Sequence, residues 1–242
     1  MTTSVSKALS PPIPVPTHGS GGTFSVLVRC IASASPEALL NAVRDVSTWP
    51  EWNTFCPEGK IASSSGDGGE QSNKTPELGK GDRPGWLETG SQCDILVYMS
   101  GDKNSGGSRR QEIRVTGIWR LEDCDEIALP EELFSPEHSS TTVFASASSN
   151  RERRGFRIAW VACGWSDWQM RSERVMDFEE VPGEKEGEVA TLYTCWETFG
   201  GLLGVAVKLA VGTTLVERFG DYGKDLKGFV ERNSGSTGEG HE

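Results

Sequence analysis

Apolar and polar positions change rhythm several times along the chain, and each rhythm points to an element. From Thr23 to Ile31 the run TFSVLVRCI has the β-branched and apolar density of a strand and ends at small polar residues. Ser35, Pro36 and Glu37 then read as a helix N-cap, a first-turn proline and a first-turn acid, with Leu39, Leu40, Val43 and Val46 following on one helical face. That helix should stop near Trp49-Pro50, because proline disfavours helical geometry in the residue before it. Alternation returns from Thr89 to Ser100, setting Cys93, Ile95, Val97 and Met99 on one face, and from Gln111 to Leu121, setting Ile113, Val115, Trp119 and Leu121 on one face. The turn-rich GDKNSGGSRR between them suits a hairpin. Three more strands follow in quick succession: Gly155 to Cys163, Ser172 to Val181 and Glu188 to Phe199. Their shared faces are Phe156, Ile158 and Trp160; Arg174, Met176 and Phe178; and Leu192, Thr194 and Trp196. Short turns such as Pro182-Gly183 make these strands antiparallel neighbours.

The C-terminal rhythm is helical. Leu202, Val205, Leu209, Gly212, Val216, Phe219, Gly223, Leu226 and Val230 recur at spacings of three and four, and charged residues mostly fill the other side. A helix of about thirty residues would run about 45 Å, enough to cross a sheet. A seventh strand is expected around Glu58 to Ser63. Polar composition marks insertions at about 63 to 87 and 122 to 153, a flexible leader from Met1 to Gly22 and a flexible tail from 233 to 242. The first strand and the last helix each lack a partner unless they share one core, so residues 23 to 232 read as one domain.

Charge and cysteine usage narrow the partners. The net charge of −11 comes without any long basic run, which argues against nucleic acid and anionic membrane surfaces. Six cysteines stand tens of residues apart with no C-x-x-C, as expected of reduced thiols in a cytoplasmic protein. The N-terminal stretch lacks the apolar core of a secretory signal, and nothing approaches the roughly 18 apolar residues of a membrane span, so no stable membrane insertion is expected.

The order strand, short helices, strands and long C-terminal helix resembles the helix-grip fold, and local sequence strengthens the likeness. Val46-Ser47-Thr48-Trp49-Pro50-Glu51-Trp52-Asn53 is similar to the tryptophan-containing segment after the first strand in the START-like SRPBCC superfamily. Thr194-Cys195-Trp196-Glu197-Thr198-Phe199-Gly200-Gly201-Leu202 resembles its last strand and helix start, and Lys224-Asp225-Leu226-Lys227 also fits. The resemblance implies an α+β fold in which a curved seven-stranded antiparallel sheet wraps around the last helix, with two short helices after the first strand. It also implies a cavity for a hydrophobic ligand. That superfamily holds polyketide cyclases, lipid-transfer proteins and the birch-pollen allergen class, so fold leaves activity open. The two expectations are a cofactor-independent cyclase, dehydratase or isomerase acting on a polyketide, terpenoid or similar precursor, with a pericyclic reaction that needs no acid or base among the options, and a carrier of a lipid, quinone or other apolar metabolite.

The residues favour chemistry without metal or cofactor. Only His18, His138 and His241 exist, none within a predicted element, and no phosphate-cradling or complete dinucleotide motif occurs. The candidate ligand contacts are Trp52 beside the short helices, Val97 and Met99, Trp119, Trp160, Met176 and Phe178, Thr194 and Trp196, and Leu202 at the start of the last helix. Each tryptophan taken alone also reads as core. Arg174 is the candidate catalytic group, because its register points it inward where a guanidinium needs a carboxylate, carbonyl or ligand oxygen. A one-residue bulge would turn it outward instead. Glu197, Tyr98 and Tyr193 are possible acid/base or hydrogen-bonding groups, but their expected register is outward.

Overall fold

The computed structural model describes residues 4–63, 85–100, 107–127, 152–185 and 187–234. β1 (Val5–Leu9) and β2 (Phe24–Ala32) are followed by helices α1 (Pro36–Arg44) and α2 (Trp49–Trp52). The strands β3 (Glu58–Ser63), β4 (Gln92–Tyr98), β5 (Ser108–Arg120), β6 (Gly155–Ala162), β7 (Arg171–Pro182) and β8 (Val189–Gly200) come next, and α3 (Gly204–Ser234) is the last element. All eight strands join one antiparallel sheet in the order β1-β2-β8-β7-β6-β5-β4-β3. The α+β helix-grip architecture is therefore present, with eight strands among the described residues rather than the seven expected.

The extra strand is β1, which lies within the stretch read as a flexible leader. Its sequence VSKAL is short and half polar, and its order comes from pairing with β2, where Val5 faces Arg29 and Leu9 faces Ser25. The insertions expected at about 63 to 87 and 122 to 153 fall mostly outside the described residues, as does most of the expected tail. Their described ends are packed. Leu87 is buried, receives a bond at its carbonyl from Arg44 Nε (3.0 Å), and donates its N–H to the Arg44 carbonyl (2.8 Å).

Helix α1 starts where its signals place it, with the Ser35 side chain accepting from the Ala38 N–H and Pro36 in the first turn. Helix α3 packs across the inner face of the sheet. Its buried residues, among them Leu215, Phe219, Tyr222, Leu226 and Val230, meet Val28, Cys30, Met176, Phe178 and Tyr193 in one apolar core. Burying such side chains contributes roughly 1.5–3 kcal/mol each, which is what holds the helix to the sheet.

The outer face is covered too, and this was not expected. The segment after β1 lies over β2, β8 and β7 and closes a second core of Leu9, Ile13, Val15, Leu27, Ala159, Val175 and Trp196. Its backbone is fastened by buried polar bonds. The Ile13 N–H donates to Ser25 Oγ (2.8 Å), Thr198 Oγ1 donates to the Ile13 carbonyl (2.7 Å), and Trp196 Nε1 donates to the Pro14 carbonyl (3.2 Å). In consequence all nine residues of β2 are buried, and β8 is buried on both sides along most of its length.

Candidate functional site: an apolar cavity with an ion pair on its wall

Between the inner face and the first half of α3 lies a cavity of about 250 Å³. Ile95, Val97 and Met99 come from β4 and its end, and Trp160 and Arg174 from β6 and β7. Glu197 and Phe199 come from β8, and Val207, Val211 and Leu215 from α3. Phe55 enters from the loop after α2, and Trp165 and Met170 from the β6–β7 connection. The volume falls just below the roughly 300–1,000 Å³ common for ligand sites, so a compact molecule fits better than a long chain.

Arg174 faces inward, and no bulge interrupts the β7 register at that position. It is 7% exposed, and its guanidinium carbon lies 4.5 Å from the Phe219 ring centroid, with Phe55 at 5.4 Å and Trp160 and Tyr222 at 5.8 Å. Directly across the ladder stands Glu197. Arg174 Nε and Nη2 both approach the same carboxylate oxygen, Oε2, at 2.8 Å. Burial works against the charge on Arg174, but the Glu197 carboxylate more than offsets it and holds the guanidinium protonated above its usual range. Glu197 Oε1 has no partner among the described residues.

Several expected contacts lie elsewhere. The inward face of β8 carries Tyr193, Cys195, Glu197 and Phe199, so Thr194 and Trp196 point to the outer face. There Thr194 accepts from Arg29 Nε, and Trp196 lies beneath the N-terminal segment. The outward register expected for Tyr193 and Glu197 is corrected by the same shift; Tyr193 stacks on Phe178 at 5.5 Å. On β5 the register slips between Val115 and Gly117, which brings Ile118 inward and sends Trp119 outward to a separate recess beside Pro14 and Arg157. Gly117 is needed there, because a Cβ would stand 2.0 Å from the Trp119 ring. Met176, Phe178 and Trp52 are inner core rather than cavity lining, with Trp52 set edge-on to Tyr222 at 5.3 Å.

Leu202 is 74% exposed, in the turn that Gly201 makes with φ +81° before α3. The residues from Leu202 to Val211 are apolar nearly all round, so their spacing fits several faces; the sheet selects Val207 and Val211 and leaves Val205 and Leu209 outside. Val97, Met99, Trp160 and Arg174 line the cavity. The lining groups that the sequence did not single out are chiefly Phe55, Ser172 and Phe199, while Glu197 was named with its side chain expected outward. For Ser172 and Glu197 the inward setting of Arg174 was the available signal, since ladder neighbours share its face.

No family model matches the chain. It is 26% identical over 224 residues, 90% of each chain, to "Oxopyrrolidines biosynthesis cluster protein O" of Penicillium oxalicum. A hypothetical protein of Helicobacter pylori, solved by crystallography, superposes with a TM-score of 0.51 at 11% identity, covering 92% of this chain and 98% of that one. A START superfamily protein from Mycobacterium smegmatis gives 0.43 at 18% identity, covering 96% and 99%. No described helix is long and apolar enough to cross a membrane. The sheet order, the gripped C-terminal helix and the cavity between them are those of a helix-grip fold.

Proposed function

We propose that the protein binds a compact hydrophobic metabolite, such as a polyketide or terpenoid precursor, in the inner cavity and promotes its cyclisation, dehydration or isomerisation without a cofactor. The observation that carries this reading is the Arg174–Glu197 pair set into an otherwise largely apolar wall. A shaped cavity holds reactive ends together, and a fixed charge pair acts on developing charge in a medium of low dielectric. Carriage of an inert apolar ligand would not require a buried ion pair at the cavity wall, where desolvation makes it costly. The name of the Penicillium oxalicum relative supports a role in secondary metabolism, and six cysteines that form no disulfide fit a cytoplasmic setting.

The test begins with mass spectrometry of small molecules retained by the protein through gel filtration, followed by incubation of each recovered compound with fresh protein. Product above the uncatalysed rate supports the reading; recovery unchanged reduces it to carriage. A Val211→Trp variant, which fills the cavity from α3, should retain at least about tenfold less ligand, since a blocked cavity loses the apolar contact that drives binding. Equal retention would place the ligand elsewhere.

A further inference from the structure

Glu197 has an oxygen to spare. Both guanidinium donors that reach it converge on Oε2, leaving Oε1 without a partner among the described residues on a side chain that lines the cavity. Arg–carboxylate pairs are frequently two-pronged, one N–H to each oxygen. The same sheet contains such a pair: Arg157 Nε and Nη2 bond to Asp177 Oδ1 (2.6 Å) and Oδ2 (2.8 Å). The one-sided pair therefore presents a carboxylate oxygen, anchored from behind, to whatever occupies the cavity. Ser172 also lines the cavity, two residues before Arg174 on β7, and its hydroxyl has no partner among the described residues. In the ladder Ser172 stands diagonal to Glu197, so a hydroxyl donor and a carboxylate acceptor belong to the same cavity wall.

We propose that Glu197, through Oε1, is the proton-accepting catalytic residue of this cavity, and that its substrate is a carbonyl compound with an acidic C–H next to the carbonyl. This rests on the function proposed above and names the class of substrate. In the step, the C–H bond breaks, its proton goes to Oε1, and its electron pair forms an enolate whose oxygen takes the Ser172 hydroxyl and the nearby Arg174 charge. The enolate carbon then attacks a second carbonyl within the molecule, and Glu197 returns the proton to the alkoxide. In an isomerisation the proton returns to another carbon, and in a dehydration to the departing hydroxyl. Either way the carboxylate is regenerated and no oxidant or reductant is consumed. Glu197 shares the cavity wall with Phe55, Trp160 and Phe199, so a bound substrate meets the carboxylate in a setting poorer in water than bulk solvent.

The experiment uses the neutral probe 5-nitrobenzisoxazole, whose elimination needs only a base. The proton on its ring carbon goes to the base, that electron pair completes a nitrile, and the N–O bond breaks to give a coloured phenolate. The full chain should show saturable elimination, and Glu197→Gln should lose roughly 100-fold in rate, the size of a positioned general base. Glu197→Gln also leaves Arg174 unpaired and can cost folding, so the double variant Arg174→Met/Glu197→Gln, which removes both charges, is the second arm. It should bind the probe within about threefold of the wild type, by quenching of tryptophan fluorescence, and remain inactive. Probe bound by the wild type but eliminated no faster than by the double variant overturns the assignment of Glu197 while leaving the binding cavity in place. A wild type that does not bind the probe overturns both.

Discussion

The sheet carries a buried arginine–carboxylate pair on each face, and the two are built differently. On the outer face Arg157 and Asp177 meet prong to prong, Arg153 adds a bond to Asp177 Oδ2 at 2.9 Å, and the Arg157 guanidinium lies 5.4 Å from the Trp196 ring centroid. On the inner face Arg174 holds Glu197 by one oxygen only, beside open volume. Neighbouring strands of one sheet thus support a pair closed upon itself and a pair left open. The closed pair needs nothing from outside and reads as structure. The open one leaves Glu197 Oε1 without a partner among the described residues, on the wall of the cavity.

The largest contrast should come from Asp177→Asn. It leaves Arg157 buried without its counter-charge, and removing one partner of a buried pair costs about 3–5 kcal/mol. Urea unfolding should show that loss, while ligand retention and probe elimination by the folded fraction stay within twofold of the wild type. A Glu197 variant is expected to do the reverse at the level of chemistry. If Asp177→Asn abolished activity in folded protein, the division between the two faces would be wrong.

A smaller effect is expected from Gly117→Ala. The added methyl must displace the Trp119 ring at the β5 bulge, and overpacking of this kind costs about 1–3 kcal/mol. Because Trp119 faces outward, ligand retention should not change. A thermal shift of less than a degree would mean that the ring moves aside freely.

At neutral pH the last effect is silent. Burial pushes the inner-face thiols of Cys30, Cys56 and Cys195 up to about 12 from an ordinary 9. Burial also raises the thiol of Cys124, near the outer pair, and there Arg157 works against the rise. With the folded-state value above the unfolded one, the neutral thiols contribute stability in full below about pH 9. That contribution is lost as pH climbs from 9 through 12, because the unfolded chain gives up protons that the folded one retains. Urea midpoints measured from pH 8 to 10.5 should fall, and Cys195→Ala should fall less steeply. Parallel curves would show that Cys195 carries no part of the slope.

What the sequence revealed follows the same division. Where only one face of a strand is buried, alternation can be read, and β4 shows its Cys93, Ile95 and Val97 face plainly. On β8 both faces are buried, so Thr194 and Trp196 on one side and Tyr193, Cys195 and Glu197 on the other look equally suited to the interior. The parity read from Leu192, Thr194 and Trp196 is the reverse of the one observed, which turns Glu197 outward and Trp196 inward together. The cause lies far away in sequence, in residues 9 to 17, which cover the outer face and whose prolines and small polar residues give no local sign of doing so. At β5 a single bulge at Gly117 reversed the second half of the strand, which alternation alone does not announce. The C-terminal helix, the strands β2 to β8 and the inward setting of Arg174 are legible because each rests on local periodicity that no distant segment overrides.

The sheet order also sets a schedule for the growing chain. β2 is buried along its whole length, yet its inner neighbour in the sheet is β8, with Phe24 paired to Phe199. During synthesis at about 5–20 residues per second, roughly 10–30 s separate the emergence of the two strands. Through that interval β2 can pair only with β1, as a hairpin that covers one of its edges and neither of its faces in full. The nascent chain therefore displays one of its most apolar segments longest, and the stage most exposed to aggregation, and to rescue by a chaperone, falls before the last strand has left the ribosome.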